Sequence, residues 1–180
     1  MFAATSLLLY STPSFAISLS VGVPVGSTIT AGVDPWGHKN EADGTSGYFL
    51  GVQLPFGLGL GMDSHKTKTK GGTYKVAHTM YNLYYQLPVP VVSLILGLGT
   101  GNSNYDCPDA GSGKSCADTW DPGTATQWYT SIGMPIIPFF DIHLSYRSIT
   151  SKNVYLKGGG TSTQQDLGGT ITGVGIAFNF

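Results

Sequence analysis

Charge in this chain is confined to four short segments, and that confinement limits its possible folds more than any single motif does. Charged residues occupy positions 34–43, 63–75, 106–121 and 147–166, with Asp141 alone outside them. Between them lie charge-free blocks at 17–33, 44–62, 76–105, 122–140 and 167–180. The block 76–105 is long enough to cross a bilayer as a helix. Pro88 and Pro90 sit near its middle, however, and Asn82 and Gln86 interrupt it, so two strands joined by a turn fit better. The same turn chemistry recurs in each middle block, as Leu54-Pro55-Phe56-Gly57, as Leu87 to Pro90, and as Met134 to Pro138. The chain therefore reads as one strand, three tight hairpins and one strand. That makes eight strands, with the charged segments gathered at one end and the short turns at the other.

The last block states the strand period most plainly. Phe180, Phe178, Ile176 and Val174 share one parity, and Asn179, Ala177, Gly175 and Gly173 share the other. A period of two is that of a strand whose faces meet different surroundings. Here the large face is aromatic and apolar and the other is nearly bare, which suits the cramped interior of a narrow barrel. Matching outward faces run through the chain: Leu19, Val21 and Val23; Leu50 and Val52; Leu58, Leu60 and Met62; Tyr81, Leu83 and Tyr85; Leu94, Leu96 and Leu98; Trp128, Ile132 and Met134; Ile142, Leu144 and Tyr146. Only 11% of residues are charged, against about 25% in soluble domains. The expected fold is all-β, an eight-stranded antiparallel up-and-down transmembrane β-barrel.

A terminal strand closing on an outward Phe180 resembles those of the small eight-stranded bacterial outer-membrane barrels, the opacity-type and OmpX-like surface proteins. The resemblance spans residues 17–180. It implies a bacterial outer-membrane location, charged loops facing outside, and periplasmic termini. The implied surroundings are outer-membrane lipid and lipopolysaccharide, and the implied assembly partner is the barrel-assembly machinery, which reads the C-terminal strand ending in Phe180. Most members are non-enzymatic surface proteins whose outer loops meet envelope or external partners. A lipid A-modifying enzyme and a narrow channel are the alternatives.

Residues 1–16 read as an export signal, with an apolar run at Leu7, Leu8 and Leu9 and a small-x-small end at Ser14-Phe15-Ala16. The barrel domain is expected over 17–180. An even pair of cysteines in an exported chain, Cys107 and Cys116, is expected to be bonded. The net charge of −1 offers nothing that would attract nucleic acid.

Inward parity collects a polar cluster: Asp63, His78, Asn82, Tyr84, Gln86, Gln127, Tyr129, Asp141, His143 and Arg147. A buried guanidinium needs a counter-charge. Asp63, facing inward across the barrel, is the expected partner of Arg147, since Asp141 lies too far along the same strand. The sequence His143-Leu144-Ser145 resembles the His-x-Ser of the lipid A deacylases, but the next carboxylate is Asp166 and the parity is inward, so no catalytic residue is assigned. No cofactor is expected. The glycines follow no phosphate-loop spacing, and Asp106, Asp109, Asp118 and Asp121 lack the spacing of an EF-type calcium loop. His65 and His78 would offer a metal only two ligands, or three with Asp63, and no metal site is assigned to them.

A Gly71-Gly72 turn pairs residues whose numbers sum to 143: His65 with His78, Gly61 with Asn82, Gly59 with Tyr84 and Gly57 with Gln86 inward, and Leu60 with Leu83 outward. The hairpin outruns the roughly 9–11 residues that cross a membrane, so its tip is expected to stand above the bilayer. Its outer face carries Lys66, Lys68, Lys70 and Lys75, the candidate lipopolysaccharide-binding residues, each a point charge for phosphate.

Overall fold

The computed structural model describes residues 17–30, 41–71, 74–89, 91–107, 113–137, 139–152, 154–157 and 165–180. The expected export signal at 1–16, Gly72 of the hairpin turn, Asp109, and Pro90 and Pro138 of two expected turns lie outside the described residues. The elements in chain order are β1 (Ser18–Ile29), β2 (Ala42–Gln53), β3 (Leu58–Thr69), β4 (Lys75–Leu87), β5 (Ser93–Asp106), α1 (Cys116–Thr119), β6 (Trp120–Asp121), β7 (Gly123–Ile137), β8 (Phe140–Lys152), β9 (Tyr155–Leu156) and β10 (Gly169–Asn179). The eight long strands form a closed barrel, in which β1 pairs with β10 and no edge is left open. The short strands β6 and β9 form a separate two-stranded ribbon.

Alternation of burial follows the sequence period. Along β8, Asp141, His143, Ser145 and Arg147 are buried, while Ile142, Leu144 and Tyr146 are exposed. The β3–β4 ladder has the register set by the glycine turn: His65 opposite His78, Gly61 opposite Asn82, Gly59 opposite Tyr84, and Lys68 opposite Lys75. Gly71 takes a φ of +72°, a conformation that favours glycine. Gly57 departs from the expected pairing. It lies in the turn before β3 at a φ of +84°, and the ladder starts at Leu58 opposite Tyr85.

The three proline-marked turns share one device. The residue after each proline, namely Phe56, Val91 and Phe139, has positive φ of 74°, 75° and 81°. In the first turn, Pro55 followed by Phe56 at positive φ is the pattern of a type II turn, a position usually filled by glycine. In the first turn the Gly57 N–H donates to Leu54 O at 3.3 Å. The third turn sits later than the segment Met134 to Pro138 suggests. Strand β7 runs on through Pro135 to Ile137, with a register shift between them, and the reversal falls at Phe139.

Candidate functional site

The inward residues fall into distinct groups between the turn end and the loop end. At the turn end is a polar vestibule with a cavity of about 70 Å³. At roughly 10–15 Å³ per enclosed water, it has room for a few waters. Its wall is a hydrogen-bonded chain: Gln86 Nε2 donates to Ser93 Oγ at 3.3 Å, and Ser93 Oγ donates to Asp141 Oδ2 at 3.1 Å. Asp141 Oδ2 lies 4.0 Å from His143 Nε2, and His143 Nδ1 lies 3.5 Å from Ser131 Oγ. Ser145 Oγ donates to Gly173 O and accepts from Arg147 Nη1, so it is not held by His143.

The next layer is a plug. Arg147 Nε donates to Asp63 Oδ2 at 2.9 Å across the barrel. Gln127 Nε2 donates to the same Asp63 oxygen at 2.7 Å and to Asn82 Oδ1. The guanidinium lies 3.6 Å over the Phe49 ring and 4.9 Å from the Tyr129 ring centre. Arginine is the cation suited to this setting, because its flat face stacks while its edge donates. The rings of Tyr84 and Tyr129 occupy the space over Gly59 and Gly97, where a Cβ would overlap them.

Beside the plug the interior changes character: Phe49 and Met80 stand opposite Asp63 on its two ladders, and Ile171 stands opposite Arg147. Phe49, Met80, Ala125, Ile149 and Ile171 form a buried apolar layer, which parity alone had not separated from the polar cluster. Next come His65 and His78, directly opposite each other, with His78 Nδ1 2.6 Å from Ser103 Oγ.

A second apolar cluster closes the loop end: Ile29, Tyr74, Val76, Tyr105, Cys107, Cys116, Trp120, Val154 and Leu167. Cys107 and Cys116 are bonded. The bridge therefore lies within a small core, not merely in a solvated loop, and Cys116 is fully buried. Tyr105 sits edge-on to both Tyr74 and Trp120, at 5.3 and 5.2 Å. Beside it, the Ser115 hydroxyl and N–H both donate to Asp118 Oδ2 and hold its carboxyl below the usual range, which caps α1.

On the outer hairpin, Lys66 Nζ pairs with Asp106 at 2.7 Å and Lys70 Nζ with Glu41 at 3.1 Å. Lys68 and Lys75 stand opposite each other on the ladder, and neither has an ion pair among the described residues. Lys75 also stands opposite Asp106 on its other side. The ten inward polar residues named from parity thus lie inside the barrel, all but His78 in the vestibule and the plug, and the four lysines lie apart from them on the hairpin. Sequence reasoning passed over Phe49 and Met80. Their parity was the available signal, since both alternate with residues of the outward face.

The barrel superposes on small outer-membrane barrels of known structure. Neisserial surface protein A matches with a TM-score of 0.65 and 13% identity over 92% of this chain and 96% of that one. The N-terminal β-barrel domain of Pseudomonas aeruginosa OprF gives 0.55 and 13% identity over 92% and 98%. The outer membrane protein AlkL gives 0.57 and 10% identity over 100% and 95%. No protein-family model and no curated protein matches the sequence. The chain has the fold of the small eight-stranded outer-membrane β-barrels. At these identities, the likeness describes the fold alone.

Proposed function

We propose that the protein is a non-enzymatic surface barrel of a bacterial outer membrane, with its charged loops outside, its termini periplasmic, and its outer hairpin engaging lipopolysaccharide phosphate. The observation that carries the reading is the inverted distribution of polarity: Leu98 is 70% exposed and Arg147 only 6%. Lipid is the solvent that makes such a surface stable, and a closed barrel is the sheet that leaves no unpaired edge in it. The filled interior supports a structural role for the polar cluster. Its carboxylate, guanidinium and amides bond to one another.

The hairpin supports the interaction role. Lys68 and Lys75 face each other, an unfavourable pairing unless an anion lies between them. Lys66 and Lys70 already have carboxylates, so phosphate would have to compete there. Changing Lys68 and Lys75 to glutamine should lower lipopolysaccharide retention by the purified barrel at low salt. Changing Lys66 and Lys70 should lower it less, and high salt should erase the difference. Equal retention by all forms at low salt would remove the lipopolysaccharide part of the reading. The location is tested separately, by heat-modifiable mobility of the protein from an outer-membrane fraction.

A further inference from the structure

We propose that His65, His78 and Met80 form a binding site for a soft monovalent cation, Cu(I), with Ag(I) as its probe. His65 is 1% exposed, and neither of its ring nitrogens has a hydrogen-bond partner. Buried polar side chains are normally satisfied, so two orphaned nitrogens on one ring ask for a ligand. His78 lies directly opposite on the ladder, and its Nδ1 is 2.6 Å from Ser103 Oγ. With Nδ1–H donated to that hydroxyl, Nε2 keeps its lone pair. This is the outer-shell arrangement that fixes the tautomer of a metal-binding imidazole.

The spacing suits a shared ion. Imidazoles bound at about 2.0–2.1 Å place their ring centres roughly 3.2 Å from the metal. With one nitrogen of each ring turned to the same ion, the 5.0 Å between ring centres would correspond to an N–metal–N angle of about 100°. The third donor is Met80, fully buried and one inward step below this rung, opposite Asp63. Diagonal neighbours on one face of an antiparallel pair are within reach of a long side chain.

The donor set selects the ion. Asp63, the nearest inward carboxylate on β3, has its Oδ2 held by Arg147 and Gln127, and it forms no three-ligand group with the two histidines. What remains is two neutral imidazoles and a thioether, a soft set that favours Cu(I). A divalent ion would bring twice the charge into an interior bounded by apolar layers, at a much larger desolvation cost. Among the described residues no group of three His, Cys, Asp or Glu could hold a metal, as expected where the third donor is a methionine sulfur. Both cysteines are bonded, so no thiol competes.

The test is to refold the full chain, disulfide intact, in detergent micelles with excess silver nitrate in chloride-free buffer. Free ion is removed by gel filtration, and silver per barrel is measured by elemental mass spectrometry on material that shows heat-modifiable mobility. One silver per barrel is expected for the parent and for His143→Ala, which changes a histidine outside the site. Met80→Leu should weaken binding at least tenfold, and His65→Gln with His78→Gln should abolish it. Cu(I) should displace the silver and Zn(II) should not. The proposal is overturned if the parent binds no silver, in which case water satisfies His65. It is equally overturned if Met80→Leu or the double histidine variant binds as the parent does, if His143→Ala loses the ion, or if Zn(II) displaces silver as readily as Cu(I).

Discussion

At the scale of single residues, the interior turns on one buried ion pair and two glycine–tyrosine contacts. Arg147 and Asp63 are both almost fully buried and 2.9 Å apart. Removing one partner leaves the other as an uncompensated charge, which typically costs 3–5 kcal/mol, whereas replacing both with apolar groups is often neutral. Asp63→Leu should therefore destabilise the barrel by about 3–5 kcal/mol, and adding Arg147→Met should recover most of the loss. Urea unfolding in micelles measures both, and equal stability of the single and double variants would contradict the argument. Gly59 offers an independent check. A Cβ there would overlap the Tyr84 ring, so Gly59→Ala should destabilise by roughly 1–3 kcal/mol, as overpacking does. Adding Tyr84→Leu should restore part of that, because the two sites share one volume.

At the scale of elements, the turns and the cap behave differently. Val91 is a β-branched residue, 85% exposed, at a φ of 75°. Left-handed backbone costs an L-residue with a Cβ about 1–2 kcal/mol, so Val91→Gly should raise the urea midpoint. An unchanged or lower midpoint would mean that the valine side chain contributes as much as its strain removes. Much of this level was readable in the residues. The glycine turn set the β3–β4 register, and parity put Asp63 and Arg147 on the inner face. The cap was not readable, because Tyr74, Tyr105, Trp120, Val154 and Leu167 lie at strand ends and between strands, where period two no longer reports which side faces in. Their burial depends on chain segments far apart in sequence meeting over the barrel mouth. Because Cys116 sits at the centre of that meeting, Cys107→Ser with Cys116→Ser should loosen the cap and spare the barrel. Hydrogen exchange should rise at Cys107, α1 and β6, while protection in the β3–β4 ladder and heat-modifiable mobility stay unchanged. Loss of protection across all eight strands would show instead that the cap is needed to hold the barrel closed.

At the scale of the whole molecule, the question is whether a closed barrel of this size conducts. Three groups of buried side chains, one polar and two apolar, occupy its interior. The first is the plug of Arg147, Asp63, Gln127 and Asn82. The second is the apolar layer of Phe49, Met80, Ala125, Ile149 and Ile171, and the third is the apolar cap at the loop end. An ion passing the plug would exchange its hydration for fixed dipoles. At the apolar layer it would find no polar substitute, and a hydrophobic constriction excludes ions by keeping water out. The vestibule cavity therefore ends blind. The protein should show no discrete current steps in a planar bilayer, and removing the plug with Asp63→Ala and Arg147→Ala should not produce them, since the apolar layer remains. The variant that opens a path should be one that also admits water into the apolar layer, such as the same pair combined with Phe49→Ser and Ile149→Ser. Steps from the parent protein, at any voltage, would show that the layers part and that the filled interior is a gate.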